Sequence, residues 1–452
     1  MTTAAIDSVA SPPCIAMHAP DGLFSLTVAA AFACVSFAVV WYACRAVSRR
    51  HDPQLVATMG LLAAFIFAAQ MINFPIAGGT TGHLLGGTLA AILAGPWAGT
   101  VVMAAVILFQ AVLGDGGLTA IGPNVFNMGI VGTCGAYAIY RIVAGREPVS
   151  ARRATAAAFF ASWCALPLGA LFATFELAAS GTASVARTMP AMVGVHMLIG
   201  VGEALITASV VAFVARTRPD LMYGRRSPTA PALDRLAMAL VLAACVGIAA
   251  GLSIVAQRWD APDGLDSIGE RHGFIAESPT FDGDDRLTTL PAYALGVHLV
   301  MRDDRVVVDR RYDAMNSPLE PGDSIREIDE SPVRSLEDVA AAIGSAAAEA
   351  HRPHRMFRVA AERADIPLAL ETQANDVPMA GSLAPRLALL PDYRMPGLDG
   401  VLATAVAGLV GTCVIFALAI CAGNALVRTP RPTRVPADPT APPVPSSTER
   451  AP

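Results

Sequence analysis

The chain has 452 residues, 54% of them hydrophobic and only 15% charged, with a net charge of −5. Ordinary soluble proteins carry about a quarter charged residues, so this composition excludes a soluble enzyme and describes an integral membrane protein. Nothing in it points to a nucleic-acid partner.

Crossing the hydrocarbon takes about 20 apolar residues as helix. Apolar runs at 23–44, 55–73, 84–95, 97–113, 124–143, 154–179 and 190–215 are the expected crossings, the third of them short. Two more, at 233–256 and 398–427, flank a polar segment of about 140 residues. The expected fold is thus an α-helical integral membrane protein, a seven-helix bundle plus two further transmembrane helices around one large outer insert. A linker occupies 221–232, and a Pro-rich tail over 428–452 is expected to be disordered.

Arginine sets the orientation, because the chain contains no lysine. Arg45, Arg49 and Arg50, then Arg141, Arg146, Arg152 and Arg153, then Arg216, Arg218, Arg225 and Arg226 follow crossings one, five and seven, and four more arginines stand in the tail. The opposite connections hold only Arg187. The positive-inside rule puts the N-terminus outside and the C-terminus in the cytoplasm, as in a multi-pass protein of a bacterial inner membrane. The eight cysteines avoid the outer insert and sit mainly in apolar spans, so they read as packing residues.

Residues 1–16 lack the basic and apolar regions of a secretory signal. They precede Met17-His18-Ala19-Pro20-Asp21-Gly22, an imidazole and a turn carboxylate at the start of the first crossing. Next, Asn73-Phe74-Pro75-Ile76-Ala77-Gly78-Gly79-Thr80-Thr81-Gly82-His83 ends one helix. Thr80 or Thr81 is expected to cap the next, with His83 in its first turn at the outer mouth. A loop histidine beside glycines that serve helix packing is the alternative. Gln70, Asn73, Gln110, Asn124 and Asn127 are polar groups in or beside apolar spans, suited to supporting hydrogen bonds. In crossing seven His196 and Glu203 stand two turns apart on one face. At membrane depth they need a partner or a polar cavity, and an internal clasp between helices suits them better than direct ligation.

MHAPDGLFS, FAAQMINFPIAGGTTGHLLGGTLAAILAGPWAG, GDGGLTAIGPNVFNMGIVG and VHMLIGVGEALIT together resemble the successive signatures of the CbiM/NikM family, the cobalt/nickel substrate-specific component of energy-coupling factor (ECF) transporters. The resemblance covers about 17–220. It implies a metal-binding membrane domain that captures a divalent ion at its outer mouth, while an ECF transmembrane coupling subunit and cytoplasmic ATPase subunits drive release inward. The metal ligands it implies are the α-amine of Met17, a backbone amide, and the imidazoles of His18 and His83, with Asp21 supporting His18 or accepting N–H groups at the start of helix one. An all-nitrogen, planar set suits Ni(II) or Cu(II), then Co(II), and disfavours Mg(II) and Ca(II), which want oxygen. Nickel and cobalt can use the same ligands. The ion is cargo, and no prosthetic group is expected.

In the C-terminal part, Ala261-Pro262-Asp263-Gly264-Leu265-Asp266 and Leu390-Pro391-Asp392-Tyr393 bracket an outer segment that resembles the PDGLE or CbiN-like accessory component, here over 233–427. Residues 288–375, with Leu295-Gly296-Val297-His298, Pro321-Gly322-Asp323 and a capped helix after Ser335, resemble a PDZ domain. Such a domain would bind an extended peptide partner by strand addition; a rigid spacer is the other reading. Residues 258–397 carry 25 acidic residues against 15 arginines, enough to gather cations near the entrance. Their histidines, His272, His298, His351 and His354, are scattered.

An intramembrane metalloprotease would need H-E-x-x-H, which is absent from the sequence. A vitamin-type ECF component would need a larger pocket and neither His18 nor His83. No G-x-x-x-x-G-K-[ST] loop occurs, so the chain is expected to be a transport subunit and not itself an ATPase.

An α-amine exists at Met17 only if translation starts there or the extension is removed. N-terminal sequencing of active, purified protein is therefore expected to read Met17 first; an intact Met1 or Thr2 terminus would refute the amine ligand.

Overall fold

The computed structural model describes residues 18–50, 52–71, 73–76, 80–146, 149–225, 235–256, 265, 268–269, 280–281, 287–312, 315–348, 356–373 and 400–426. Met17, the extension before it, residues 261–264, 266 and 390–393, and the tail lie outside these residues. So do His272, His351 and His354.

The helices follow the apolar runs. They are α1 (Leu26–Ser48), α2 (Pro53–Gln70), α3 (Gly87–Ala94), α4 (Pro96–Leu113), a continuous α5 built from Ile121–Asn124, Val125–Gly135 and Ala136–Ala144, α6 (Ala151–Ala179), α7 (Val185–Thr217), α8 (Arg235–Ala256) and, after the outer segment, α10 (Gly400–Leu426). Among the described residues five helices are long and apolar enough to cross a membrane: α1, α4, α6, α7 from Thr188 and α10 from Ala405. Residues Gln54–Gln70 and Met238–Gly247 form shorter apolar helices. The run expected at 84–95 yields only the eight-residue α3, about 12 Å at 1.5 Å per residue. Gly95, at φ +94°, breaks it from α4, and Pro96 starts the next helix.

The caps are local and legible. Ser25 accepts the Val28 N–H, Asp52 accepts the N–H groups of Gln54 and Leu55, and Ser150 accepts that of Arg153. The α6–α7 pair has the most extensive contact of any two helices. Ala154, Ala157, Ala158, Ala161 and Ala165 recur on the buried face of α6. In lipid, where apolar burial drives little association, such small residues let backbones approach closely.

The arginine-bearing helix ends gather at one end of the bundle. Arg45 stacks over Trp41, Tyr42 packs on Trp97, and Arg50 lies 2.5 Å from the Tyr223 hydroxyl. Arg225 donates to the Val149 carbonyl. Aromatic rings and arginines at one level are the signature of a membrane–water interface.

The His83 loop departs from expectation. Asn73–Ile76 (β1) and Thr80–His83 (β2) pair as an antiparallel hairpin, with Asn73 opposite His83. His83 is therefore on a strand, and α3 begins four residues later at Gly87, with Gly86 at its N-cap. Ladder pairing satisfies these main-chain groups without a helix.

The segment between α8 and α10 holds an all-antiparallel sheet. Its strands are β3 (Thr280–Phe281), β4 (Leu287–Ala292), β5 (Val297–Arg302), β6 (Arg305–Arg311), β7 (Ser324–Ile328), β8 (Ser331–Pro332), β9 (Met356–Arg363) and β10 (Ile366–Gln373), in the order β10-β9-β7-β6-β5-β4-β3 with β8 on β7. Helix α9 (Leu336–Ala348) packs Leu336, Val339 and Ile343 into its core beside Leu290, Leu299 and Ile325. Ser335 accepts the Asp338 N–H while the Asp338 carboxylate accepts that of Ser335, a reciprocal cap.

Asp323 is fully buried in the Pro321-Gly322-Asp323 turn. It accepts the Glu320 N–H at 2.9 Å and two bonds from the Arg363 guanidinium at 2.7 and 2.8 Å. Burial pushes its carboxyl up, but the Arg363 and Glu320 bonds outweigh burial and hold it below the usual aspartate value. A carboxylate so depressed adds stability that is complete above the unfolded value of about 3.9 and is lost as pH falls through the folded one. Hydrogen exchange of residues 319–328 in the full chain is expected to lose protection as acid titrates this pair. In D323N that protection is already low at neutral pH and its acid dependence is flatter.

Candidate metal centre

Four segments meet at the end of the bundle opposite the arginines. Asn124, at the start of α5, clamps the backbone of Ala19: its Nδ2 donates to the Ala19 carbonyl at 3.1 Å and its Oδ1 accepts the Ala19 N–H at 3.2 Å. The Gly117 N–H donates to the same carbonyl at 2.9 Å. Thr182, between α6 and α7, donates to the Leu23 carbonyl at 2.8 Å. The approach needs glycine. A Cβ on Gly117 would lie 2.3 Å from the Asp21 nitrogen, and one on Gly116, at φ +96°, 2.8 Å from His18 Cβ.

This clamp fixes His18, which is 2% exposed. Its Nδ1 faces the Asp115 carbonyl at 3.3 Å and the Asp115 carboxylate at 3.4 Å. Asp21 supports the site differently from expectation. Its Oδ1 accepts both the N–H and the hydroxyl of Thr119 at 2.7 Å, so it pins the 114–120 connection, while Ser25 caps helix one. The carboxylate beside His18 is Asp115.

On the facing segment, His83 is half-buried and its Nδ1 faces the Leu84 carbonyl at 3.2 Å. Its loop is tied down at both sides. Gln70 Nε2 donates to the Leu85 carbonyl at 2.8 Å, and the Glu203 carboxylate accepts the N–H groups of Leu85 at 2.6 Å and Gly86 at 3.0 Å. Glu203 and Gln70 are fully buried.

The ring centroids of His18 and His83 lie 5.8 Å apart, edge to face. A ring nitrogen about 2 Å from a metal places its centroid about 3.2 Å away, so two rings on one ion sit at most about 6.4 Å apart. The observed separation meets that limit. Among the described residues no three His, Cys, Asp or Glu side chains gather as a metal cluster, so the two imidazoles would need other donors, such as backbone nitrogen. Both rings line one cavity of about 120 Å³. His196, Asn124 and Asn127 line it too, and Leu265 of the C-terminal part reaches it. Leu265 packs, and Ile268 is buried, in a cluster with Ala19, Leu23, Phe24 and Leu177.

The comparisons bear on this arrangement. Residues 18–221 match the family model described as "Cobalt uptake substrate-specific transmembrane region", and 336–428 match the PDGLE domain. A putative fused nickel transport protein of Archaeoglobus fulgidus is 37% identical over 282 residues, covering 62% of this chain and 88% of that one. The chain belongs to the CbiM family.

A second relative, the fused nickel transport protein NikMN of Rhodobacter capsulatus, is 38% identical over 233 residues, 48% of this chain and 66% of its own. A crystal structure of a truncated transition metal transporter aligns at 30% identity and TM-score 0.39, covering 44% of this chain and 98% of that one. This CbiM-family chain is a multi-pass membrane protein with a PDGLE part. The PDGLE match begins at α9, about 70 residues beyond the Pro262-Asp263-Gly264-Leu265 quartet.

Of the polar residues expected to support the site, Gln70, Asn124 and Glu203 bond to its backbone, as given above. Asn127 donates instead to Glu176 at 2.7 Å. The Asn73 side chain lies outside the described residues, and Gln110 is buried with neither amide atom bonded among them. Asp115 and Glu176 escaped sequence reasoning. Asp115 sits in a Gly114-Asp115-Gly116-Gly117 turn that reads as a solvated loop, and only its burial sets it apart.

Glu203 holds the peptide next to His83, so losing it is expected to weaken metal binding by about 10–100-fold, as outer-shell losses do. Titration of nickel against E203A and E203Q would check this. E203Q keeps one acceptor for the two N–H groups and should fall between wild type and E203A.

Proposed function

We propose that the chain is the substrate-binding component of an ATP-driven ECF-type uptake transporter, capturing Ni(II) or Co(II) at the outer membrane face and passing it inward with separate coupling and ATPase subunits. The observation that carries this reading is the pairing of His18 with His83 across one cavity. Similarity to the nickel transport proteins supports it.

The donor set would be the Met17 α-amine, a backbone amide and the two imidazoles, with Asn124, Asp115, Gln70 and Glu203 holding them. Nitrogen donors favour late divalent ions over Mg(II) and Ca(II). A vitamin is disfavoured by volume: drug-sized ligands occupy about 300–1,000 Å³, against about 120 Å³ here. The arginine-rich end would face the cytoplasm, which leaves the cavity and the acidic outer segment on the supply side. Leu265 and Ile268 would let the PDGLE-like part close the mouth. For 288–375 the reading is a PDZ-like module, supported by the Asp323 turn, β7 and the capped α9. Its edge strand β10 is where an extended peptide would add.

Competition binding of nickel, cobalt and copper to protein beginning at Met17 tests the proposal. Wild type is expected to hold one equivalent tightly, and H18A and H83A each to lose that affinity. Unchanged binding and uptake in H83A would sink it.

A further inference from the structure

A third histidine shares the cavity. His196 lies on α7, eleven residues from its start, which is about 16 Å along the helix. Its Nδ1–H donates to the Met192 carbonyl at 2.7 Å. That bond fixes the tautomer and leaves Nε2 as the basic nitrogen on the far side of the ring. A histidine tied through one nitrogen to a backbone carbonyl is the usual arrangement of a metal ligand, because the bond orients the ring and raises the basicity of the other nitrogen. His18 and His83 are tied the same way, each with Nδ1 on a carbonyl. All three line the one cavity, and α7 packs directly on β2, the strand that carries His83.

Helix packing alone is a poor reason for an imidazole here. An ionisable side chain within a transmembrane helix is costly and ordinarily marks an ion's route or site. The Met192 bond lies within α7 and ties no second helix to it. The hydrogen bonds that tie α7 to its neighbours come from other residues: Glu203, two turns further along, accepts the N–H groups of Leu85 and Gly86, and Ser162 and Trp163 of α6 donate to the Thr207 hydroxyl at 3.3 Å and the Met197 carbonyl at 3.0 Å.

We propose that His196 is an inner ligand of the transported dication, binding it through Nε2 as it leaves the outer set, with His83 shared between the two positions. This rests on the reading of His18 and His83 as outer ligands. The chemistry is ligand exchange alone: the Nε2 lone pair enters the coordination sphere, the His18 nitrogen leaves it, and nothing is oxidised or reduced. An incoming donor spares the ion a bare state in a largely apolar chamber, where desolvating a charge costs several kcal/mol or more. Among the described residues the three rings do not form one ready cluster, as successive positions require and a single three-histidine site would not.

The test separates the nitrogens. Asparagine keeps an N–H near the Nδ1 position, and so the Met192 bond, but has nothing at Nε2. Nickel affinity of the full chain beginning at Met17, and radioactive nickel uptake by vesicles containing it with its energising subunits, would be measured for H196A, H196N and H83A. H196A and H196N are both expected to keep near-wild-type affinity while uptake falls at least about 10-fold, and H83A to lose affinity itself. Normal uptake in H196N would overturn the proposal, since the Met192 bond alone would then suffice. Loss of affinity in H196N equal to that of H83A would also overturn it, placing His196 in the outer set. If H83A instead retains affinity, the outer-site reading fails, whatever the His196 variants do.

Discussion

Buried non-helical backbone must find its hydrogen bonds in protein, each unmet group costing about 1–3 kcal/mol. The segment from His83 to Gly87 is such a stretch, between a hairpin and a helix with no side-chain cap. Glu203 takes the N–H groups of Leu85 and Gly86, and Gln70 supplies a donor to the Leu85 carbonyl. Gly86 sits at φ +80°, a conformation glycine adopts without strain. The turn can therefore hold His83 at the cavity wall only because two helices, α2 and α7, each contribute one polar residue at the right height.

The opposite wall meets the same constraint with different residues. There the N-terminal segment runs as irregular chain beside α5, and Asn124 serves the Ala19 N–H and carbonyl together, much as a strand partner would. Gly117 lets the 114–120 connection approach closely enough to bond the same carbonyl. The scaffold thus fixes main chain first and imidazoles second: both rings inherit their positions from clamped peptides one or two residues away.

Much of this was legible in the sequence. The helical runs, the arginine asymmetry and the two-turn spacing of His196 and Glu203 follow from composition and periodicity, which report the burial each element needs, whereas the ligand roles of His18 and His83 were implied by the family resemblance. The hairpin was not legible. Pro75 and the glycines read as a helix break, and whether the chain resumes as strand or helix depends on which partner satisfies its backbone, a tertiary matter. Glu203 was seen as a polar clasp, but its partners are main-chain groups that carry no residue-type signal. Asp115 and Glu176 escaped for opposite reasons. The first lies in a glycine-rich turn where acids are commonplace, and the second near a helix end, where a carboxylate looks solvated. The Asp323 turn lay in the open as Pro321-Gly322-Asp323; its partner Arg363, forty residues on, did not.

Dehydration adds a constraint to donor identity. To bind two imidazoles an ion has to shed part of its hydration shell, and ions differ sharply in how readily they do so. Mg(II) gives up its shell reluctantly and asks for oxygen in return, whereas nitrogen donors compensate nickel, cobalt and copper more fully. Leu265, Phe24 and Leu177 at the cavity offer nothing to a hydrated ion, and so the apolar lining works in the same direction as the imidazoles. Selection on this account is a joint property of the clamped nitrogens and the apolar residues around them.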